Sequence, residues 1–270
     1  MRWPWLLLLL SCAHAPRGRP DAALVFERFG QPVTTLDVAA LERLTSRVTF
    51  RVADPYYQRD KGFVALELAP ILRAAFGSDV ANSDGELQLT AADGYTVLLP
   101  LTKAFEPGAH LAIADADGPW EPIGPQRANP GPFYLVWRGP DQQRLETHPR
   151  PWGLAKVSLV RFEDVYAWTV PPRRSAAIDD GYRLFRAHCL RCHAINRQGG
   201  RVGPELNVPQ NVTEYRPREQ LEAWVKNPLA FRYGNMPPFP NLTETEVDAL
   251  LEYLTVMKER KHDEGSAHGH

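Results

Sequence analysis

The chain has 270 residues, 44% hydrophobic and 23% charged, which is the composition of a globular protein with room for one large or two ordinary domains and excludes a disordered chain. Its 31 basic and 32 acidic residues leave a formal charge of −1, so no overall field draws it to nucleic acid or to an anionic membrane surface. No nucleic-acid partner is expected, and partners have to be recognised at particular sites.

Met1-Arg2-Trp3-Pro4-Trp5 followed by Leu6 to Leu10 gives a positive start and an apolar core too short to span a bilayer, the pattern of an export leader. Leu9-Leu10-Ser11-Cys12 resembles a lipoprotein signal with Cys12 as the lipidated residue, whereas Ala13-His14-Ala15 fits ordinary signal cleavage. A misassigned start, with this stretch as a frayed leader, is a third reading. The lipoprotein is preferred, with residues 1–22 as leader and tether and the protein in the periplasm or cell envelope, anchored to the membrane. The chain has only two further cysteines, Cys189 and Cys192; both belong to one motif, so no structural disulfide is expected despite the oxidising destination.

Residues 23–168 read as a strand-rich α+β domain. Strands are expected at 23–28, 48–52, 87–90, 95–100, 110–114, 133–137 and 154–162, from β-forming runs and partial period-two alternation. Ala91-Ala92-Asp93-Gly94 between two of them signals a hairpin, because Asp-Gly supplies the positive backbone angles of a tight turn. Helices are expected at 36–44 after a Thr35 cap and at 68–76, ended by Gly77.

Val170-Pro171-Pro172-Arg173-Arg174-Ser175 interrupts the pattern, and residues 169–177 are read as a linker. From 178 to 260 the periodicity is helical, with helices over 179–188, 217–226 and 243–258. Asp179 and Asp180 suit a helix start, Thr243 and Glu246 have capping-box spacing, and Val247, Leu250, Leu251, Leu254 and Met257 recur at intervals of three and four. Residues 261–270 form a tail whose His262, His268 and His270 could bind a metal but are read as inert at a frayed end.

The strongest chemical signal is Cys189-Leu190-Arg191-Cys192-His193, since C-x-x-C-H is the attachment sequence of c-type haem. Cysteines three apart share one face of a helical turn and reach two vinyl groups of one porphyrin, while His193, four after Cys189, points its imidazole at the iron. A zinc site would need further ligands, and a thioredoxin-type pair would need a βαβ setting.

Around this motif the chain resembles class I cytochromes c over about residues 178–258. Gly181 and Phe185 lie eight and four residues before the first motif cysteine, and Leu250 and Tyr253 in the last helix match the pair that crosses them in that family. The resemblance implies an all-α cytochrome c domain with one covalent haem c whose crevice is closed by the first and last helices crossing at glycine. It implies a methionine as second axial ligand, for which Met236 in Met236-Pro237-Pro238-Phe239 is the candidate and Met257 is read as core. It also implies that the Pro204 carbonyl accepts the other ring N–H of His193. Trp224, Tyr233 and Phe239 are candidate haem-wall residues, and Arg216, Arg218 and Arg232 could pair with haem propionates or stand solvated.

Between residues 33 and 163, Asp54-Pro55-Tyr56-Tyr57, Ala92-Asp93-Gly94-Tyr95, residues 131–137 and residues 152–157 resemble the molybdopterin-binding fold of sulfite-oxidase-type proteins. That family ligates molybdenum through a cysteine, and no cysteine lies between Ala13 and His188, so molybdopterin is not expected. The resemblance implies a docking or ligand-binding platform. Asp54, Tyr56, Tyr57, Asp93 and Tyr95 are candidate pocket residues, with turn formation the alternative for the aspartates.

The sequence therefore points to an exported monohaem cytochrome that carries single electrons between redox partner proteins of the periplasm or membrane, more an electron carrier than a self-sufficient enzyme. Two alternatives stand beside it: part of a periplasmic oxidoreductase whose N-terminal domain handles a small substrate, and a haem-based gas or redox sensor.

Overall fold

A computed structural model describes residues 22–124, 127–145, 147–231 and 236–263. Cys12 with the rest of the leader, Arg232, Tyr233, His268 and His270 lie outside the described residues. In chain order the first part comprises β1 (Ala23–Arg28), β2 (Gln31–Asp37), α1 (Val38–Leu44), β3 (Val48–Asp54), β4 (Arg59–Glu67), α2 (Leu68–Phe76), β5 (Glu86–Ala91), β6 (Thr96–Pro100), α3 (Leu101–Ala104), β7 (Ala109–Asp115), β8 (Tyr134–Trp137), β9 (Leu154–Val160) and α4 (Phe162–Tyr166).

These strands form two sheets. One is mixed, in the order β2-β1-β9-β5-β6, with β1 and β9 parallel; the other is antiparallel, in the order β3-β4-β7-β8. In β5, Leu87, Leu89 and Ala91 are buried while Glu86, Gln88 and Thr90 are half-buried, the period of two expected when one face meets a core. Leu24, Phe26, Leu89 and Leu159 pack with Ile71, Leu72 and Phe76 of α2 and with Trp137 in the larger core. Phe50, Phe63, Tyr134 and Val136 form a smaller one. The residues 91–94 make the turn between the antiparallel β5 and β6, with Gly94 at φ +89° and Asp93 Oδ1 accepting from the Tyr95 N–H at 2.9 Å.

Several local boundaries differ from the sequence reading. Leu36 belongs to β2, and α1 starts at Val38 because Asp37 Oδ1 accepts from the Ala40 N–H at 2.7 Å and supplies the cap expected of Thr35. The strands β2 and β4 are additional; Gly62 and the charges of Arg59-Asp60-Lys61 hide β4 from a pattern of apolar residues. The expected strand at 154–162 stops at Val160, and Phe162 opens α4.

Asp54 and Arg150 are fully buried together. The guanidinium donates to Asp54 Oδ2 at 3.1 Å, to the Trp137 carbonyl at 3.0 Å and to Gln143 Oε1 at 2.6 Å. Tyr134 Oη donates to Asp54 Oδ2 at 2.8 Å, and Asp54 Oδ1 accepts from the N–H groups of Tyr56 and Tyr57. Such a charge pair is tolerated in an interior when most of its polar atoms are hydrogen-bonded, as here for all but Arg150 Nε, so Asp54 holds the fold from inside and does not line an open pocket.

The second part comprises α5 (Ala176–Leu184), the short strands β10 (Ala194–Ile195) and β11 (Gln198–Gly199), α6 (Val212–Tyr215), α7 (Arg218–Lys226) and α8 (Glu244–Val256). Ser175 caps α5 through its Oγ, and Thr243 with Glu246 forms a capping box on α8. The two helices cross at Gly181: a Cβ there would lie 2.0 Å from the Ala249 carbonyl oxygen and 2.8 Å from Tyr253 Cβ. The rings of Phe185 and Tyr253 meet at 5.2 Å beside this crossing, and Met257 is fully buried in the same core with Leu250 and Leu254.

Residues 162–169 pack on this helical core through Phe162, Val165 and Tyr166, and Leu98 of β6 joins them. Gln88 of β5 donates to Tyr166 Oη at 2.6 Å. The start of the expected tail is also packed: the His262 ring stacks on Trp168 at 3.8 Å, and the His262 backbone N–H donates to Asn196 Oδ1 at 3.0 Å. A nearby flat aromatic and a buried amide thus hold a segment that composition marks as a frayed end.

Candidate haem-attachment site

Past α5 the chain continues through a wider π turn over Phe185–Cys189, in which the Leu190 N–H donates to the Phe185 carbonyl at 2.9 Å. The Cys189 carbonyl then accepts from the N–H groups of Cys192 at 3.0 Å and His193 at 2.8 Å, so the three side chains project from one tight turn. The cysteines are not joined in a disulfide. Burial pushes the Cys189 thiol up to about 12 and the Cys192 thiol up to about 11. A redox-active dithiol needs the opposite shift, so the thioredoxin-type alternative is not supported. Among the described residues no group of three or more His, Cys, Asp or Glu is placed to hold a metal, so the ligand set of a structural zinc is not formed there.

His193 Nδ1 is 2.8 Å from the Pro204 carbonyl oxygen, where it donates its proton and leaves the Nε2 lone pair to a metal. Burial holds the ring below the ordinary histidine range, which favours the neutral, ligating form. Gly203 lets the loop lie against the imidazole, since a Cβ there would come within 2.4 Å of His193 Cε1. Two thiols on one turn and an imidazole of fixed tautomer and plane are the donor set that fits haem c.

The loop after the motif runs back along it. Gly200 donates to the Leu190 carbonyl at 2.8 Å, Gly203 to that of Cys192 at 2.8 Å and Leu206 to that of Ala194 at 2.9 Å. The Arg191 carbonyl accepts from the Thr96 N–H on the edge strand β6 at 2.9 Å, and the Arg201 N–H donates to the Gly94 carbonyl at 2.9 Å. The hairpin of the first part is therefore bonded to the cysteine turn through Arg191 and to the loop that follows it through Arg201. Tyr56, exposed at the surface, and the half-buried Tyr95 face the Arg191 guanidinium there, and burial holds the Tyr95 phenol above the ordinary tyrosine range. Nothing in the spacing of the sequence announces this contact, which is made by backbone groups.

Met236 is half-buried just before Phe239, whose N–H donates to the Val225 carbonyl of α7 at 3.1 Å and whose ring meets that of His188 at 5.5 Å. Trp224, half-buried on α7, stacks on Phe231 at 5.0 Å and 5°, with the Arg216 guanidinium 5.6 Å from its ring centre. Arg218 is engaged by Glu222 at 2.8 Å and by Asp248, so it is held along the helix surface and is not a free partner for a propionate.

A small helical core closed by a glycine crossing over a C-x-x-C-H turn with its histidine tied to a loop carbonyl defines a c-type cytochrome domain. Residues 176–254 match the family described as cytochrome c oxidase, cbb3-type, subunit III, and the C-terminal part of the chain is a cytochrome c domain. The chain is also similar to cytochrome c oxidase subunit 2 of Alkalihalophilus pseudofirmus, 33% identical over 88 residues, 30% of this chain and 25% of that protein. The subunit 2 of Bacillus subtilis is 28% identical over 122 residues, 38% of this chain and 34% of that protein. The chain thus spans about a quarter to a third of the length of these relatives.

Proposed function

We propose that the chain is an exported monohaem c-type cytochrome that passes single electrons, with Cys189 and Cys192 as thioether anchors and His193 and Met236 as axial ligands. The observation that carries this reading is the His193–Pro204 bond at the foot of the cysteine turn, because it fixes the tautomer of the ring and leaves its other nitrogen free to ligate iron. The similarity to the cbb3-type subunit and to oxidase subunits 2 supports a haem-based electron-transfer role and a location at a membrane or in the envelope. Bound haem supplies a one-electron couple.

The residues around it orient and insulate. His193 is fixed in plane by Gly203 and Pro204; Trp224 on α7 would line the haem pocket, and Met236 would supply the second ligand, so that no position would remain for substrate. The N-terminal part, held to the attachment segment through Thr96 and Gly94, is the module that selects a redox partner protein in the periplasm or membrane. Its resemblance to the sulfite-oxidase-type fold without a cysteine ligand fits a platform that carries no molybdopterin. No helix of the described residues is long and apolar enough to cross a membrane, and lipid on Cys12 would supply the anchor.

Met236→Ala tests the ligation. Loss of the thioether is expected to lower the midpoint potential by more than about 59 mV, a tenfold change for one electron, and to let carbon monoxide bind the reduced protein fully. A variant with unchanged potential and no carbon monoxide adduct contradicts Met236 as ligand.

A further inference from the structure

The loop that carries Pro204 contains a carboxylate in an unusual position. Glu205 Oε1 accepts from the backbone N–H groups of Asn207 at 2.8 Å, Asn196 at 3.0 Å and Val208 at 3.2 Å, and Oε2 accepts from that of Arg197 at 2.8 Å. Asn196 and Arg197 are consecutive non-glycine residues with positive φ, +55° and +66°. They are the two central residues of the tight β10–β11 hairpin, which needs positive φ at both, and their successive N–H groups point into one concavity that suits an anion. Glu205 fills it from within the chain.

The connections place this carboxylate between the two ends of the axial histidine's support. Asn196 follows His193 by three residues, and Glu205 follows Pro204 directly, with the Leu206 N–H on the Ala194 carbonyl between them. Asn196 continues the tie outward: its amide donates to the carbonyls of Trp168 and Arg260, each at 2.8 Å, and its oxygen accepts from Asn207 Nδ2 at 2.8 Å. Asn207 and Asn196 are 0% and 2% exposed, so this arrangement has little freedom to drift.

We propose that Glu205 is a positioning residue for His193 whose negative charge lowers the reduction potential of the haem; the proposal rests on the cytochrome reading above. The charge favours the oxidised, more positive centre. The Pro204 carbonyl that Glu205 helps to hold acts in the same direction by making the imidazole more basic.

The experiment is redox titration of the haem-loaded full chain. Glu205→Gln keeps the side-chain shape and removes the charge, and it is expected to favour the reduced state three- to tenfold, about 30–60 mV upward at 59 mV per decade. Glu205→Asp, which keeps the charge, is expected to show less than half that shift, and Glu259→Gln, on the exposed ion pair with Arg173, none. Amide hydrogen exchange of the wild-type holoprotein is a readout that needs no variant: Arg197 N–H is expected to exchange at least about 100-fold more slowly than in an unstructured chain. A haem-loaded Glu205→Gln with the wild-type potential, or an Arg197 amide that exchanges as if free, overturns the proposal while leaving the cytochrome reading intact. A wild-type protein without covalent haem overturns both.

Discussion

Cys189→Ser together with Cys192→Ser is expected to leave a protein from which essentially all haem is removed by acidified organic solvent, whereas the wild type retains its full complement. Serine matches cysteine in shape and forms no thioether, so the turn that seats the motif persists while the covalent links are lost. Each single variant is expected to keep one link, and with it haem that resists extraction but shows a shifted reduced absorption band. The turn itself does not depend on the thiols: it is built from the Cys189 carbonyl accepting two backbone N–H groups and from Gly200 and Gly203 bonding back to Leu190 and Cys192. Heme that stays bound through extraction in the double variant would show that attachment lies elsewhere.

The second large effect is expected at the helix crossing. Gly181→Ala places a methyl group 2.0 Å from the Ala249 carbonyl oxygen and 2.8 Å from Tyr253 Cβ. Neither is the far end of a flexible side chain, so α5 and α8 have to separate. Overpacking of a buried contact costs typically 1–3 kcal/mol, and a backbone obstacle puts this site at the upper end, about 3 kcal/mol. For a chain of this size that lowers Tm by about 6–12 °C. The displacement also loosens Tyr253, whose hydroxyl donates to the Thr169 carbonyl at 2.7 Å, and Phe185 at the start of the turn leading to Cys189. A thermal unfolding curve of the haem-loaded variant checks the loss; a Tm within 2 °C of the wild type would mean that the crossing is not tight.

The helical half of the fold is legible in the sequence because its signals are local. Thr243 and Glu246 act as caps within three residues of their partners, and Leu250, Leu254 and Met257 face one core at helical intervals; α5 starts at Ala176 under a Ser175 cap, earlier than the expected 179 and inside the stretch read as linker. The motif cysteines and histidine are contiguous, so their common turn follows from helix geometry alone. The strand-rich half is less legible. The strand β4 carries Arg59, Asp60 and Lys61, and Lys61 is buried only because Asp115 and Glu121, more than fifty residues away, pair with it at 2.6 and 2.9 Å. Burial of that kind depends on partners that no local pattern reveals.

Two aspects of the site were also beyond local reading. The grip of Thr96 and Gly94 on the attachment segment uses main-chain atoms, which leave no residue signature. The role of Glu205 depends on two left-handed residues, Asn196 and Arg197, that the sequence does not distinguish from an ordinary polar loop. His262, read as an idle tail residue, stacks on Trp168 because α8 ends beside the segment carrying that indole. For the hairpin contact and for His262 the decisive partner is distant in sequence and close in the fold; for Glu205 it is near in sequence, and the backbone conformation that aims it is what the residues do not announce.

The most direct test of the electron-carrier account is an absorption spectrum of the dithionite-reduced protein before and after carbon monoxide. Sharp low-spin c-type bands that carbon monoxide leaves unchanged are the predicted result, since His193 and Met236 then fill both axial positions. Bands that convert to a carbon monoxide adduct would reveal an open or labile iron and contradict the account, in favour of sensing or chemistry at the metal.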